Sequence, residues 1–317
     1  KPKEMSPRDW NTMRKKKNWQ AFKDFWRVAK SMVEDYELVY PTRGYNKGNG
    51  VAVTPFKSRP ISRAYFKMWE LLHRYPDILA RIEGPNPLKV LSLGESPGGF
   101  IQSLAHYRMT GGAVKDTYFA YSLLVDKKKN PNLRWDFELS VQQLGALKQD
   151  LNLNYGDLTK SETLKNILKD MKGEKADLVI ADGAIESTNV YNYEEVVNYK
   201  LFFGEIASAM MNNRVGGNFV IKIFDILTHV TRQFLVLLNH YYSEVFVTKP
   251  DFSRPASSEK YLVCLGFRGL VTPNQTEEEV KETLIELLET WNNKISEDQN
   301  IYYPENENFL LRLLDYN

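Results

Sequence analysis

Residues 88–104 read LKVLSLGESPGGFIQSL, and the interpretation of this stretch decides the fold. Val90-Leu91-Ser92-Leu93 is a short apolar run bounded by turn formers, the pattern of a strand buried in a parallel sheet. It stops at Gly94. Glu95, Ser96, Pro97, Gly98 and Gly99 then lead into an amphipathic run from Phe100, so a tight loop delivers the backbone into a helix N-terminus. Adjacent glycines let main-chain N–H groups approach a ligand closely, and the free donors of a first helical turn favour a carboxylate or phosphate. A turn that only joins strand to helix would have the same composition. The spacing excludes two common alternatives, since the loop contains neither G-x-G-x-x-G nor G-x-x-x-x-G-K-[ST].

Outward from this loop, strand-like and helix-like runs alternate. Strands are expected at Lys89 to Leu93, Thr117 to Leu123, Asn152 to Tyr155, Asp177 to Ala181, Asn218 to Phe224, Glu244 to Thr248 and Lys260 to Phe267. Helices are expected at Phe100 to Met109, Ser161 to Met171, Tyr193 to Asn212 and Thr228 to Tyr241. Such alternation predicts an α/β, doubly wound, mostly parallel sheet whose ligands sit beyond the carboxyl ends of the strands. Only Lys249 to Glu259 separates the last two strands, so one of them should run antiparallel.

Flanking segments complete a three-part plan of 1–60, 61–270 and 271–317. Pro7 to Tyr40 reads as one or two helices with Trp19, Phe22, Trp26, Ala29 and Val33 on one face, and Pro41 to Pro60 as a loop rich in Gly, Pro, Asn and Lys. Ser62 to Arg74 reads as a helix capped by Ser62, with Ala64, Met68, Leu71 and Leu72 on one face. After residue 270, Glu277 to Trp291 is an acidic amphipathic helix, and Phe309 to Leu314 forms a last apolar cluster. This end should pack on the sheet or a partner rather than carry chemistry.

The 317 residues suffice for a large core, with 42 Lys and Arg against 40 Asp and Glu. Charge is nevertheless uneven: residues 1–30 carry ten basic side chains against three acidic, and residues 271–317 carry eleven acidic against three basic. One end can face an anion. The single cysteine, Cys264, excludes an internal disulfide or a cysteine-rich zinc site, and four scattered histidines offer no metal spacing. No run is long and apolar enough for a membrane span, and the start is too basic and polar for a secretory signal, so a cytoplasmic or nuclear location is expected. The first residue is Lys1 rather than Met, from which a processed or fragmentary chain is expected.

Four charged residues fall where a parallel sheet would gather them. Asp182 ends the apolar run from Asp177, where a charge is costly without a partner, and Lys222 interrupts the apolar run from Asn218 to Phe224. Lys67 lies on the helix before the glycine loop, and Glu259 opens the last strand. Singly, each has a plain explanation: a solvated helix lysine, a strand-end acid, a snorkelling lysine, a strand-edge charge.

Taken together, L-x-L-G-E-S-P-G-G-F, Ser62-Arg63-Ala64-Tyr65-Phe66-Lys67, Asp177 to Gly183, Gly216 to Lys222 and Ser253-Arg254-Pro255 to Glu259 resemble the FtsJ-like RNA 2'-O-methyltransferases, the cap enzymes of eukaryotes and large DNA viruses included. The resemblance spans roughly residues 60 to 268. It implies a seven-stranded methyltransferase sheet, S-adenosylmethionine as cofactor, and Lys67, Asp182, Lys222 and Glu259 as the catalytic tetrad. It also places Gly94, Glu95, Pro97, Gly98, Gly99, Ser122, Asp157 and Leu158 around the cofactor. Asp157 would accept from the adenine amino group, although it also reads as an acid at a helix start before Thr159. The second strand ends Tyr121-Ser122-Leu123 with no acid before Asp126, so Ser122 or main chain would replace the acidic ribose contact found in many members.

The expected chemistry is an in-line transfer of a methyl from a sulfonium to a ribose hydroxyl that loses its proton. Lys222 would act as base if desolvation or the neighbouring Lys67 lowers its pKa, whereas carboxylates nearby would hold it protonated. The resemblance implies capped mRNA as the substrate, methylated on its first nucleotide, with Lys57, Arg59, Arg63 and Arg254 as candidate phosphate contacts, and it makes a viral origin an expectation. A ribosomal or transfer RNA 2'-O-methyltransferase and an inactive RNA-binding scaffold remain the alternatives.

Overall fold

The structure is a computed structural model that describes residues 60–80, 87–112, 115–123, 149–185, 194–270 and 274–291, with the backbone of 293–295 and 302–304. The basic N-terminal segment, Lys57, Arg59 and the Phe309 to Leu314 cluster lie outside the described residues. Seven strands form one sheet: β1 Lys89–Leu93, β2 Thr117–Ser122, β3 Asp150–Tyr155, β4 Ala176–Ala181, β5 Asn213–Ile223, β6 Tyr242–Thr248 and β7 Lys260–Phe267, in the order β3-β2-β1-β4-β5-β7-β6. Strands β3, β2, β1, β4 and β5 pair in parallel, and β7 is antiparallel to both β5 and β6. The expected sheet and its reversed strand are therefore present. Strands β3, β5 and β6 begin two, five and two residues earlier than their apolar runs, because ladder pairing continues through polar residues such as Asp150 and Asn213.

Side-chain alternation sorts the sheet into two faces. Val90, Leu178, Ile180, Val220, Tyr261 and Val263 pack against helices α1 Ala64–Arg74, α2 Asp77–Ala80 and α3 Gly99–Thr110. Leu91, Leu93, Val179, Ala181, Phe219 and Ile221 pack against the other layer, formed by α4 Ser161–Met171, α6 Tyr199–Asn212, α7 His229–Tyr241 and α8 Glu277–Glu289. The acidic helix α8 belongs to this second core through Val280, Leu284, Leu287 and Leu288, and beyond it the Trp291 ring stacks on Phe203 at 5.1 Å.

Two helix boundaries differ from expectation. Ser62 does not cap α1: Arg63 occupies the cap position, and the Ser62 hydroxyl is buried without a partner. The run from Tyr193 to Asn212 is broken at Asn198 into α5 Glu194–Val197 and α6. The Asn198 side chain accepts from Ile185 N at 2.7 Å and donates to the Glu194 carbonyl at 2.7 Å, so the break ties the loop after β4 to the helix layer. Among the described residues no helix is long and apolar enough to cross a membrane.

Candidate active site

Strand order reverses between β1 and β4, because β2 and β3 lie on one side of β1 and the later strands on the other. A crevice opens at such a point, beyond the carboxyl ends of the strands. Gly94 follows β1 there at φ +61°, and its N–H donates to the Tyr121 carbonyl at 2.8 Å. A methyl group on Gly94 would lie 2.7 Å from Gly183 Cα, so glycine at both positions lets the ends of β1 and β4 meet.

The glycine loop is built differently from the sequence expectation. Two first-turn donors of α3 are not free, because the Glu95 carboxylate accepts from Phe100 N and from Ile101 N, the latter at 3.4 Å. Ser92 Oγ donates to the same carboxylate at 3.3 Å. Burial pushes the Glu95 pKa up to about 8 against those donors. Gly99 turns towards α1: a methyl there would come within 2.3 Å of Ser62 Oγ and 2.9 Å of Tyr65 N. Helix α1 is thereby seated directly on the loop. Ser96 N donates to Ser122 Oγ at 3.4 Å, linking the loop to the end of β2.

Period-two alternation places the charged cluster. Asp182 continues the Leu178, Ile180 side of β4, Lys222 the Val220 side of β5, and Glu259 the Tyr261, Val263 side of β7, all facing the layer that contains α1. Lys67 projects from α1 to meet them. Its Nζ lies 2.7 and 2.8 Å from the two Glu259 carboxylate oxygens. Lys222 Nζ lies 3.2 Å from Asp182 Oδ1 and donates to the Asp182 carbonyl at 2.6 Å. The four side chains predicted from sequence therefore form two adjoining ion pairs, each side chain between 8% and 14% exposed.

Electrostatics decide the charge state. Burial would lower the Lys222 pKa, but the charges of Asp182 and Glu259 outweigh it and raise it, and Glu205 adds to them when it ionises. Lys222 is an ammonium in the free protein, contrary to the lowered pKa that a ready base requires. Burial likewise opposes the Glu259 carboxylate, yet Lys67 and Lys222 hold its pKa down to about 2.

Other expected positions are accounted for individually. Asp157 Oδ1 accepts from Thr159 N at 3.0 Å and Thr159 Oγ1 at 2.7 Å, so at least half of this carboxylate organises the turn before α4. Leu158 is buried, and its carbonyl oxygen would lie 1.9 Å from a methyl at Gly204, so α6 supports this turn at close range. Arg63 Nη2 donates to the Phe252 carbonyl at 3.1 Å, and Arg254 is half-buried in the same β6–β7 connection. Lys249 holds that connection from within, donating to Ser257 O at 2.7 Å and Glu259 O at 3.0 Å.

Two participants were not found by sequence reasoning. Tyr261, opposite Lys222 in the β5–β7 ladder, donates to Asp182 Oδ1 at 2.8 Å. Its position two residues after Glu259 was the available signal. Glu205, in the middle of α6, is fully buried beneath Gly94 and Gly183. An acid inside the apolar run Leu201 to Met211 was its only trace.

This strand order, with β7 reversed, a glycine loop at the switch point and lysine–carboxylate pairs on its rim, defines a Rossmann-like methyltransferase fold. The FtsJ-like methyltransferase family model matches residues 60–267, and the chain belongs to that family. Over 256 residues the chain is 28% identical to the "Probable methyltransferase EP424R" of African swine fever virus (isolate Pig/Kenya/KEN-50/1950), covering 78% of this chain and 58% of that one. It is 40% identical over 115 residues to cap-specific mRNA (nucleoside-2'-O-)-methyltransferase 1 of Trypanosoma brucei brucei, 36% of this chain and 31% of that one. With cap-specific mRNA (nucleoside-2'-O-)-methyltransferase 2 of Drosophila melanogaster it shares 29% identity over 218 residues, 67% of this chain and 30% of that one. The chain thus spans a little over half the length of the viral relative and about a third of the two cap enzymes.

Proposed function

We propose that this protein methylates the ribose 2'-hydroxyl of the first nucleotide of capped mRNA, using S-adenosylmethionine. The observation that carries the reading is the convergence of Lys67–Glu259 and Lys222–Asp182 on the rim of the switch-point crevice. The crevice suits the cofactor, since polar side chains stand at the carboxyl ends of three parallel strands, Ser122 at β2, Asp157 after β3 and Asp182 after β4. Gly94, Pro97 and Gly98 would take the methionine end, with Glu95 and Gly99 holding the loop in shape, and Ser122, Asp157 and Leu158 the nucleoside end. When bound, S-adenosylmethionine supplies a methyl on a positively charged sulfur, to which the bonding electrons return as the ribose oxygen attacks.

The chain's own residues aim the hydroxyl and handle its proton. Lys222, held by Asp182 at both its carboxylate and its carbonyl, presents Nζ in one direction. Asp182 and Glu259 retain the proton on Lys222 in the free protein, so Lys222 would have to release it before taking that of the hydroxyl. Lys67 and Glu259 flank the attacking oxygen, and alignment supplies a large share of the rate. Arg63, bonded to the Phe252 carbonyl, and Arg254, in the same β6–β7 connection as Phe252, would meet RNA phosphates, as would Lys57 and Arg59. The names of two relatives support the cap substrate.

The test is incubation with labelled S-adenosylmethionine and two RNAs that differ only in the presence of a 5' cap, followed by nuclease mapping. Label on the first ribose of the capped RNA alone is expected. Equal labelling of both would indicate a ribosomal or transfer RNA type of activity, and binding without transfer would indicate a scaffold.

A further inference from the structure

Glu205 enters the site from the side of the sheet opposite the two ion pairs. Its side chain is fully buried on α6, Oε1 accepts from Gly183 N at 3.1 Å, and Oε2 has no partner. Room for the carboxyl exists only because two glycines face it: a methyl at Gly183 would lie 2.2 Å from Oε1, and one at Gly94 would lie 3.0 Å from it. Gly183 N and the Asp182 carbonyl belong to a single peptide plane. That plane is gripped at its N–H by Glu205 and at its carbonyl by Lys222 Nζ, 2.6 Å away.

We propose that Glu205 is a positioning residue that fixes the Asp182–Gly183 peptide and, through its carbonyl, the direction in which Lys222 presents its amine. The inference rests on the reading of Lys222 as the group that takes the hydroxyl proton. A hydrocarbon in the same place could fill the volume, but it could not accept from Gly183, and a planar peptide cannot turn at one end without turning at the other. The carboxyl also acts through charge. Lys222 from β5 and Asp182 after β4 face it, Glu259 acts on the same lysine from the start of β7, and Glu95 in the glycine loop faces Asp182. Burial pushes the Glu205 pKa up to about 8, so it is mostly neutral at pH 7 and adds a negative charge beside Lys222 only at higher pH.

The experiment compares methyl transfer to capped RNA by the wild type, Glu205→Gln and Glu205→Leu across pH 6 to 10. Glu205→Leu should lose about tenfold or more in kcat with the KM for RNA nearly unchanged, the signature of lost alignment rather than lost binding. Glu205→Gln keeps an acceptor for Gly183 and should stay within about threefold of wild type near neutrality. Because glutamine never ionises, Lys222 releases its proton more readily, and the rise of kcat with pH should move to lower pH. Equal kcat in both variants, or a change in KM alone, would overturn the proposal. If Glu205→Leu shows no cooperative melting, Glu205→Met, which also lacks an acceptor for Gly183, takes its place, and a kcat equal to that of Glu205→Gln overturns the proposal. A wild type that binds cofactor and capped RNA but transfers nothing overturns the methyl-transfer reading and this inference with it.

Discussion

Lys222 and Tyr261 face each other across the β5–β7 ladder and converge on one atom, Asp182 Oδ1, at 3.2 Å and 2.8 Å. The cation and the phenol together saturate that oxygen. Burial and the charges of Asp182 and Glu259 raise the Tyr261 pKa well above its ordinary value, so the phenol acts only as a donor. Asp182 is therefore held from two strands at once, and Lys222 pairs with a carboxylate that Tyr261 anchors.

Tyr261→Phe tests this anchoring. Asp182 would lose one donor, and we expect a stability loss of about 1–2 kcal/mol with a fall in kcat for methyl transfer. Thermal unfolding and steady-state kinetics measure the two effects, and an unchanged kcat would show that Asp182 needs no second anchor.

Lys222→Ala removes the proposed base. A loss of about a hundredfold or more in transfer is expected, with capped-RNA binding largely retained. The variant should also be destabilised by about 3 kcal/mol, because Asp182 is left without its cation in a nearly buried place. Filter binding alongside the transfer assay separates chemistry from affinity.

Glu259 makes stability depend on acid. Its folded pKa of about 2 lies below the ordinary carboxylate value of 4.5, so the stabilisation is fully present above pH 4.5 and is lost as pH falls towards 2. Melting curves between pH 2 and 6 should show Glu259→Gln and Lys67→Ala with shallower acid dependence than the wild type.

Glu95 and Glu205 work in the opposite sense. Both have folded pKa values of about 8, above their unfolded values, so the folded protein binds more protons between pH 4.5 and 8. Stability should therefore decline as pH rises through that window, by at most about 1.4 kcal/mol per pH unit for each group. Glu205→Gln should flatten the slope in denaturant titrations, and an unaltered slope would mean that Glu205 is ionised throughout.

Gly99→Ala tests the contact between the glycine loop and α1. The added methyl would meet Ser62 Oγ and Tyr65 N, so α1 must shift, at a cost of about 1–3 kcal/mol. Since α1 carries Lys67, transfer should fall further than cofactor affinity, which calorimetry with S-adenosylhomocysteine would report.

Much of this protein is written locally in its chain. Alternating apolar runs specify strands, amphipathic runs specify helices, and the absence of a helix between β6 and β7 specifies the reversed strand. Asp182 and Lys222 stood out because a charge in a buried strand demands a partner, and both have one. Tertiary structure alone settled what depends on groups distant in sequence. It turned Glu95 inward to occupy the donors of α3, left the Ser62 hydroxyl pressed against Gly99, and brought Glu205 from α6 beneath the switch point. It also left Lys222 charged, since the carboxylates of Asp182 and Glu259, from two different elements, act on one amine. Periodicity depends on neighbours along the chain, whereas a proton's affinity depends on every charge within a few ångströms, wherever in the chain that charge originates.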